Sequence, residues 1–370
     1  MLVGAAVTAG AAGFPMVNFG QYRLFAQTQR TYSKRAVDLV RSSLVIDMLG
    51  PLKIDMDEFS KKPLSEKDAA EFRASGINAF HHAVGSGGPN AYENALAFFA
   101  TWNNFVAVNS HVFSGVSRVS DMVRAKAENK CAVIMGLQNS EHFRRPQDVQ
   151  AFYDLGQRCS QLTYNSQNRI GSGSTDRVDG GVSDFGVAII KAMNEAGMLV
   201  DVSHSGDRTT LDAIELSPVP IAFTHSNCRA LVDHPRVKTD EAIIALAKKG
   251  GVMGITGVRM FISKKEPTTI VDMVDHIDHV VKLVGIDHVG VGSDADLNGY
   301  DDMSPEMQKM IRAAYKDSYA FRDKIDTDGF DHPKKIFDLT EELIRRKYSD
   351  ANIKAVLGGN FQRLLGSTWK

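Results

Sequence analysis

The chain has 370 residues, of which 43% are apolar and 24% are charged, and its formal net charge is −1. This composition predicts a folded globular protein with a large core and excludes a chain that is disordered as a whole. Acidic and basic residues are interspersed without a basic stripe, so nucleic acid is not an expected partner.

Residues 1–20 form the first distinct segment, which carries no charge and is rich in alanine, glycine and valine. Such an apolar run is typical of an export signal, but the basic residues that normally precede it are missing, since the first cation is Arg23. We therefore expect residues 1–27 to be either an apolar tail or the remnant of a twin-arginine export signal. An export signal would make the protein periplasmic or exported, and a tail would make it cytoplasmic. No other stretch is apolar enough to predict a membrane span.

The rest of the chain alternates between short apolar runs and amphipathic stretches. Residues 28–43 have apolar positions at helical spacing. Eight apolar runs follow and predict strands at Leu44–Met48, Ile77–His81, Ala132–Leu137, Cys159–Tyr164, Leu199–Ser203, Val219–Thr224, Gly251–Ile255 and Val289–Ser293. The stretches between them have helical periodicity, and several end in a glycine, which is a frequent helix stop.

This alternation predicts one (β/α)8 TIM barrel over residues 28–370. A doubly wound parallel sheet is the alternative, but no G-x-G-x-x-G motif opens a helix after a strand. Two long connections, residues 82–118 and 297–337, follow the second and eighth predicted strands. Because long loops at the carboxyl ends of barrel strands usually shape a binding site, we expect both to line it.

Histidines at the ends of two neighbouring strands are the strongest candidates for chemistry. His204 in VDVSHSG and His225 in IAFTHSN each follow an apolar run, and each precedes a serine. Imidazole is a common ligand of catalytic divalent metals, so the pair predicts a metal site at the carboxyl end of the barrel. Asp294, at the end of the eighth strand, is a candidate general base, metal ligand or clamp for a substrate ammonium.

The cysteines do not contribute to such a site. Cys131, Cys159 and Cys228 are too widely spaced to predict a disulfide framework or a thiolate metal site, and we expect all three to be buried thiols.

From about residue 28 onward the sequence resembles the renal, or membrane, dipeptidases, which form peptidase family M19 among the amidohydrolase-like barrels. The resemblance rests on several segments in order, namely VIDMLG, GLQNSEHF, QLTYNSQN, GVSDFGVAIIKAMNEAGMLVDVSHSGDRTT, PIAFTHSNCRALVDHPRVKTDE, GIDHVGVGSDADLNG and GGNFQRLL. It implies a two-zinc hydrolase that cleaves dipeptides, often with tolerance for a D-residue on the carboxyl side, and sometimes β-lactams. It also makes a homodimer an expected assembly.

Four residues match the functional positions of this family. His204 and His225 fall on the histidines that bind the second zinc, and Arg236 falls on the arginine that binds the substrate carboxylate. Asp294 falls on the aspartate that transfers protons. The resemblance therefore implies that one metal position and the substrate clamp are retained.

Four other functional positions depart from the family pattern. Leu49 and Pro51 stand where the first zinc has its histidine and aspartate, and neither offers a lone pair suited to zinc. Gln138 replaces the glutamate that bridges the two ions. Asn165 replaces the histidine that polarises the scissile carbonyl; it can donate a hydrogen bond to an oxyanion but cannot carry a proton.

Taken together, these positions predict a site with at most one zinc ion, held by His204 and His225 with Gln138 as a weak ligand or Asp294 as a further one. We expect a metallohydrolase that cleaves dipeptides or a related small amide with metal-activated water. Two alternatives remain open. One is a metal-independent isomerase or tailoring enzyme acting on a peptide-derived small molecule, and the other is a barrel that binds a small ligand without catalysis.

Overall fold

The computed structural model describes residues 21–22, 31–50, 52, 60, 63–85, 87–300 and 303–370. The predicted tail, residues 1–27, lies outside the described residues apart from Gln21–Tyr22, and Pro51 lies outside them as well.

The strands confirm the (β/α)8 barrel. Among the described residues they are β1 Gln21–Tyr22, β2 Tyr32–Ser33, β3 Ile46–Asp47, β4 Ala79–Val84, β5 Phe113–Gly115, β6 Cys131–Leu137, β7 Gln157–Gln161, β8 Leu199–Asp201, β9 Ala222–Ser226, β10 Val252–Ile255 and β11 Val289–Val291. Strands β3, β4 and β6 to β11 form a closed parallel ring, in which β4 pairs with β6 and β3 pairs with β11. Strands β1 and β2 form a separate antiparallel pair, and β5 lies beside the start of β6.

Helices follow most of the barrel strands. Among the described residues they are α1 Lys34–Ser42, α2 Glu66–Ala74, α3 Ala91–Val108, α4 Val119–Ala127, α5 Gln147–Asp154, α6 Asp184–Ala196, α7 Asp207–Leu216, α8 Asp240–Lys248, α9 Ile270–Val284, α10 Pro305–Ala314, α11 Lys335–Arg345, α12 Asp350–Lys354 and α13 Asn360–Thr368. Several begin at a serine or threonine whose hydroxyl accepts a backbone N–H of the first turn, as Ser183 does for α6 and Thr239 for α8. No helix in the described part of the chain combines the length and apolar composition needed to cross a membrane.

The structure differs from the predicted elements in several places. Strands β4 and β9 begin and end two to three residues later than predicted, so His81, His82 and His225 lie within strands. Strand β7 begins before Cys159 and ends before Tyr164, which were its predicted bounds. It ends early because the chain turns out of the sheet after Gln161. Strand β5 is a further short strand. It was not predicted because its three residues, one of them a glycine, do not form an apolar run. The connection 297–337 contains helix α10 and buried apolar side chains, so it is not only a polar loop.

The apolar core closes the amino-terminal end of the barrel. Inside the ring, side chains such as Ile46 and Ile134 pack against Phe361, Leu364 and Leu365 of α13. A Cβ at position 290 would lie 2.6 Å from the ring of Phe361, so Gly290 makes room for this plug. Because this end is filled with apolar groups, the polar interior residues collect at the opposite end, where the strands finish.

Candidate active site

The two predicted histidines meet at the carboxyl end of the barrel. His204 follows β8 and His225 lies within β9, and their side chains are 2% and 0% exposed. Their Nε2 atoms are 2.9 Å apart, and the ring centroids are separated by 5.0 Å at an interplanar angle of 57°. The pair therefore shares one small space, as the matched sequence frames predict.

Hydrogen bonds at the other ring nitrogens determine the protonation pattern of this pair. Ser203 and Thr224 each donate their hydroxyl to the Asp201 carboxylate, at 2.6 Å and 2.5 Å. The Thr224 oxygen is then left to accept the Nδ1–H of His225, at 2.9 Å. His204 in turn donates its Nδ1–H to Oδ1 of Asn165 at 2.7 Å. A neutral imidazole carries one proton, so both Nε2 atoms present lone pairs to each other.

Two facing lone pairs at this distance repel unless a cation lies between or beside them. Burial, together with the positive charge of Arg236, holds the pKa values of His204 and His225 well below their usual range, so neither ring readily takes a second proton. Metal-binding histidines commonly donate their other ring N–H to an oxygen acceptor, which fixes the tautomer and the ring orientation. The chemistry of this pair thus suits a divalent metal such as zinc.

Asn165 links the histidine pair to the loop that follows β7. Its φ of +57° lies in the left-handed region, which asparagine tolerates better than most residues. The backbone is held there by Thr175, whose hydroxyl donates to the Asn165 carbonyl at 2.8 Å. Its Nδ2 is buried without a hydrogen-bond partner. This amide can therefore donate to an oxygen of a bound molecule.

Arg236 lies at the site, but its guanidinium makes hydrogen bonds within the protein that the predicted role of a carboxylate clamp does not include. The side chain is 1% exposed, and its terminal nitrogens donate to the backbone carbonyls of Ser203 and His225. Its Nε is buried without a partner. The guanidinium therefore buttresses both strands that carry the histidines, and it keeps one N–H for a further acceptor.

Asp294 lines a cavity of about 210 Å³ together with Gln138 and His204. Its φ is +57°, and its backbone N–H donates to the carbonyl of Leu49 at 2.7 Å. Burial raises the pKa of the Asp294 carboxyl to about 7, although the positive charge of Arg236 opposes the shift. A carboxyl with such a pKa can exchange a proton near neutral pH.

Leu49 and Gln138 are engaged in contacts within the protein. Leu49 is fully buried and offers only its carbonyl, which accepts from Ser293 and Asp294. Gln138 donates its Nε2 to the carbonyl of Ala83 at 3.2 Å. Within the described residues, no group of three or more His, Cys, Asp or Glu side chains could hold a metal ion. A metal site at this place would therefore depend on the facing imidazoles of His204 and His225.

Neighbouring polar residues that could replace the missing ligands make contacts within the protein, although the Nε2 atom of His82 is buried without a hydrogen-bond partner. Glu141 accepts from the backbone of Gly88, and His142 contacts the carbonyl of Asn139 at 3.1 Å. His82 accepts from Leu52, and His81 donates to the carbonyl of Met48, which leaves the His81 Nε2 buried without a partner.

Two features of the site escape sequence reasoning. Asp201 and Thr224 orient His225. The only sequence signal for them is that each lies shortly before one of the two histidines. Tyr164 stacks on His204, with ring centroids 4.3 Å apart at 19°, and its hydroxyl lies 2.5 Å from that of Tyr315. Tyr315 belongs to the connection after β11, so distant segments meet above the histidines.

Comparison with known proteins identifies sequence relatives with dipeptidase names. The profile of the family described as membrane dipeptidase (peptidase family M19) matches residues 33–314. Dipeptidase verJ of Clonostachys rogersoniana is 31% identical over 257 residues, which cover 68% of this chain and 60% of that relative. Across the curated relatives compared, the match spans 45% to 60% of the relative's own length.

Solved structures share the barrel over nearly the whole chain. An amidohydrolase from Pseudomonas aeruginosa is 28% identical, with a TM-score of 0.79 over 90% of this chain and 99% of that one. The probable dipeptidase PvdM from the same organism has a TM-score of 0.77 at 21% identity, and the alignment covers 91% of this chain and 98% of that one. At that identity, the second likeness concerns the fold alone.

Proposed function

Since this chain belongs to the membrane dipeptidase family, peptidase family M19, we propose that it hydrolyses dipeptides or a related small amide at a site with one zinc ion. His204 and His225 are the ligands in this proposal. The observation that carries it is the 2.9 Å approach of the two Nε2 atoms, with Nδ1 of each ring hydrogen-bonded to a side-chain oxygen. Such a pair is stabilised by a shared cation.

The residues around the pair have distinct tasks in the proposed reaction. A bound zinc ion supplies Lewis acidity for water attack on an amide carbonyl. Asp294, with its pKa of about 7, takes the proton from the attacking water and delivers it to the leaving amine nitrogen. The free Nδ2 of Asn165 donates to the oxygen on which negative charge develops.

Arg236 has a more limited role than a bidentate clamp. Its unpartnered Nε–H can pair with the free carboxylate of a dipeptide, while its terminal nitrogens hold the strand ends in place. A single charge-assisted hydrogen bond still favours a substrate that carries a carboxylate near the scissile bond.

The test measures metal content and turnover on the same samples. Purified protein is dialysed with zinc, analysed for bound metal, and assayed with a panel of L,L- and L,D-dipeptides before and after chelation. We expect about one zinc per chain, with turnover that is lost on chelation and restored by zinc. His204→Ala is expected to lose both the metal and the activity.

Other outcomes separate the alternatives. Conversion of a peptide-derived substrate that survives chelation would favour the metal-independent isomerase. Calorimetric binding of a dipeptide with neither metal nor turnover would favour a binding protein. Absence of both metal and turnover with every dipeptide contradicts the proposed hydrolase.

A further inference from the structure

The cavity above the histidines has an apolar, largely aromatic wall. Its polar floor consists of Gln138, His204 and Asp294, whereas most of the other lining side chains are apolar or aromatic. Most of them come from two connections, residues 258–261 after β10 and the segment from Tyr300 to Ile325 after β11. The others are Ala83, Val84 and Gly85 at the end of β4 and Tyr164 after β7. A ligand bound here would place its reacting group against the polar floor and an apolar side chain against the wall.

The segment 303–325 is fixed as a roof over this cavity. The hydroxyl of Tyr315 meets that of Tyr164, and Nζ of Lys316 donates to the carbonyl of Thr175 at 2.8 Å. On the other side, Tyr319 packs edge-to-face on Phe261, with ring centroids 5.6 Å apart. The roof is therefore anchored both to the loop after β7 and to the connection after β10.

We propose that this roof selects dipeptides with neutral, apolar side chains, an inference that rests on the proposed hydrolase function. Within the described residues, the lining contains no lysine or arginine, and its one carboxylate is Asp294. A charged substrate side chain would lose its hydration against the apolar wall without gaining a partner there, which disfavours its binding. An apolar side chain instead binds more favourably as its surface is removed from water.

The size of the cavity limits the substrate as well. A volume of about 210 Å³ lies below the roughly 300–1,000 Å³ of pockets for drug-sized ligands. The cavity therefore suits a small ligand.

The first experiment compares side chains within one scaffold. Zinc-loaded protein is assayed with X-D-Ala and Ala-X dipeptides in which X is Leu, Phe, Ser, Lys or Glu. We expect kcat/KM for Leu and Phe to exceed that for Ser by about tenfold and those for Lys and Glu by about a hundredfold in at least one series. Equal values for all five side chains in both series would overturn the inference.

The second experiment uses two neighbouring residues of α10. Ile311 lines the cavity, whereas the adjacent Met310 is 64% exposed. Ile311→Lys is expected to lower kcat/KM for the Leu dipeptide at least about tenfold and to shift the preference toward Glu, and Met310→Lys should change neither. Ile311→Ala, which keeps an apolar surface, should favour Phe over Leu. Unchanged preferences in both Ile311 variants would contradict the assignment.

Binding measurements keep this inference separate from the proposed chemistry. Chelated protein is titrated calorimetrically with Leu-D-Ala and Lys-D-Ala. Tighter binding of the Leu peptide without turnover after zinc loading would support the selective cavity and refute the hydrolase. Turnover of both peptides with equal kcat/KM would support the hydrolase and refute the selective cavity.

Discussion

Thr224 determines the proton position on His225, and this gives a prediction for one hydroxyl group. Thr224→Val removes the oxygen that accepts from Nδ1, so the imidazole can exchange tautomers and its Nε2 is less available to a metal. We expect zinc affinity to fall about 10- to 100-fold, as measured by competition with a chromophoric chelator. Thr224→Ser keeps the acceptor and should bind zinc like the natural protein. Equal affinities for all three proteins would contradict the tautomer argument.

Asp294 gives a prediction for the pH dependence of the proposed hydrolysis. Because burial raises its pKa to about 7, the carboxyl is mostly protonated below that pH and cannot act as a base. We therefore expect kcat/KM to rise with pH on an acid limb centred near 7. Asp294→Asn should lower kcat/KM by at least about a hundredfold and remove this limb. An acid limb that persists unchanged in this variant would assign the ionisation to another group.

Single residues also show how far the sequence can specify a site. The proximity of His204 and His225 could be predicted because both lie near the carboxyl ends of adjacent apolar strands, which barrel geometry brings together. The hydrogen bonds of Arg236 to two backbone carbonyls could not be predicted, because the position of an arginine in the sequence does not reveal which acceptors surround its guanidinium. The same holds for the hydrogen bond between Asn165 and His204, which joins two loops.

At the scale of the elements, strand β6 gives a prediction about packing. A Cβ at position 136 would lie 2.0 Å from Nε2 of His81 and 2.7 Å from the backbone oxygen of Cys159. Gly136→Ala should therefore reduce the free energy of unfolding by about 1–3 kcal/mol or more, since neighbouring strand backbone cannot move aside. Urea unfolding measures this loss. Gly115→Ala on β5 is the control, because its Cβ meets nothing within 4 Å, and its stability should be unchanged or up to about 1 kcal/mol higher.

The barrel strands were predictable because buried parallel strands form nearly continuous apolar runs, as in β6. The roof was harder to predict. Met303, Tyr315 and Phe321 are widely spaced within a polar segment, so no period identifies the face that they share. Their common surface arises only when the segment folds back over the strand ends, which is a tertiary effect.

For the whole molecule, buried neutral histidines predict sensitivity to acid. His276 accepts from the backbone of Cys228 and donates to that of Ile262, and His234 is similarly bonded on both ring nitrogens. Burial lowers the pKa of each to about 4, against 6.5 for the exposed side chain. Between these values the unfolded chain binds more protons than the folded one, so stability falls as the pH decreases from about 6.5 to about 4.

Urea unfolding between pH 7 and 4.5 checks this expectation. Each such histidine contributes a slope of up to about 1.4 kcal/mol per pH unit. His276→Gln should reduce the slope by about that amount, whereas His111→Gln, at an exposed position, should leave it unchanged. A slope that is identical in the natural protein and His276→Gln would show that His276 does not contribute.

The seam of the ring has a consequence for the order of folding. Strands β3 and β11 meet through one residue pair, Asp47 with Val291, and the hydrogen bonds beside it join residues about 245 positions apart. Contacts so distant along the chain carry the greatest loop-closure entropy, so we expect this junction to form late. The backbone of Asp294 is tied to Leu49 across the same junction. A kinetic intermediate with most of its native helices but with an open ring would therefore lack the assembled site until the ring closes.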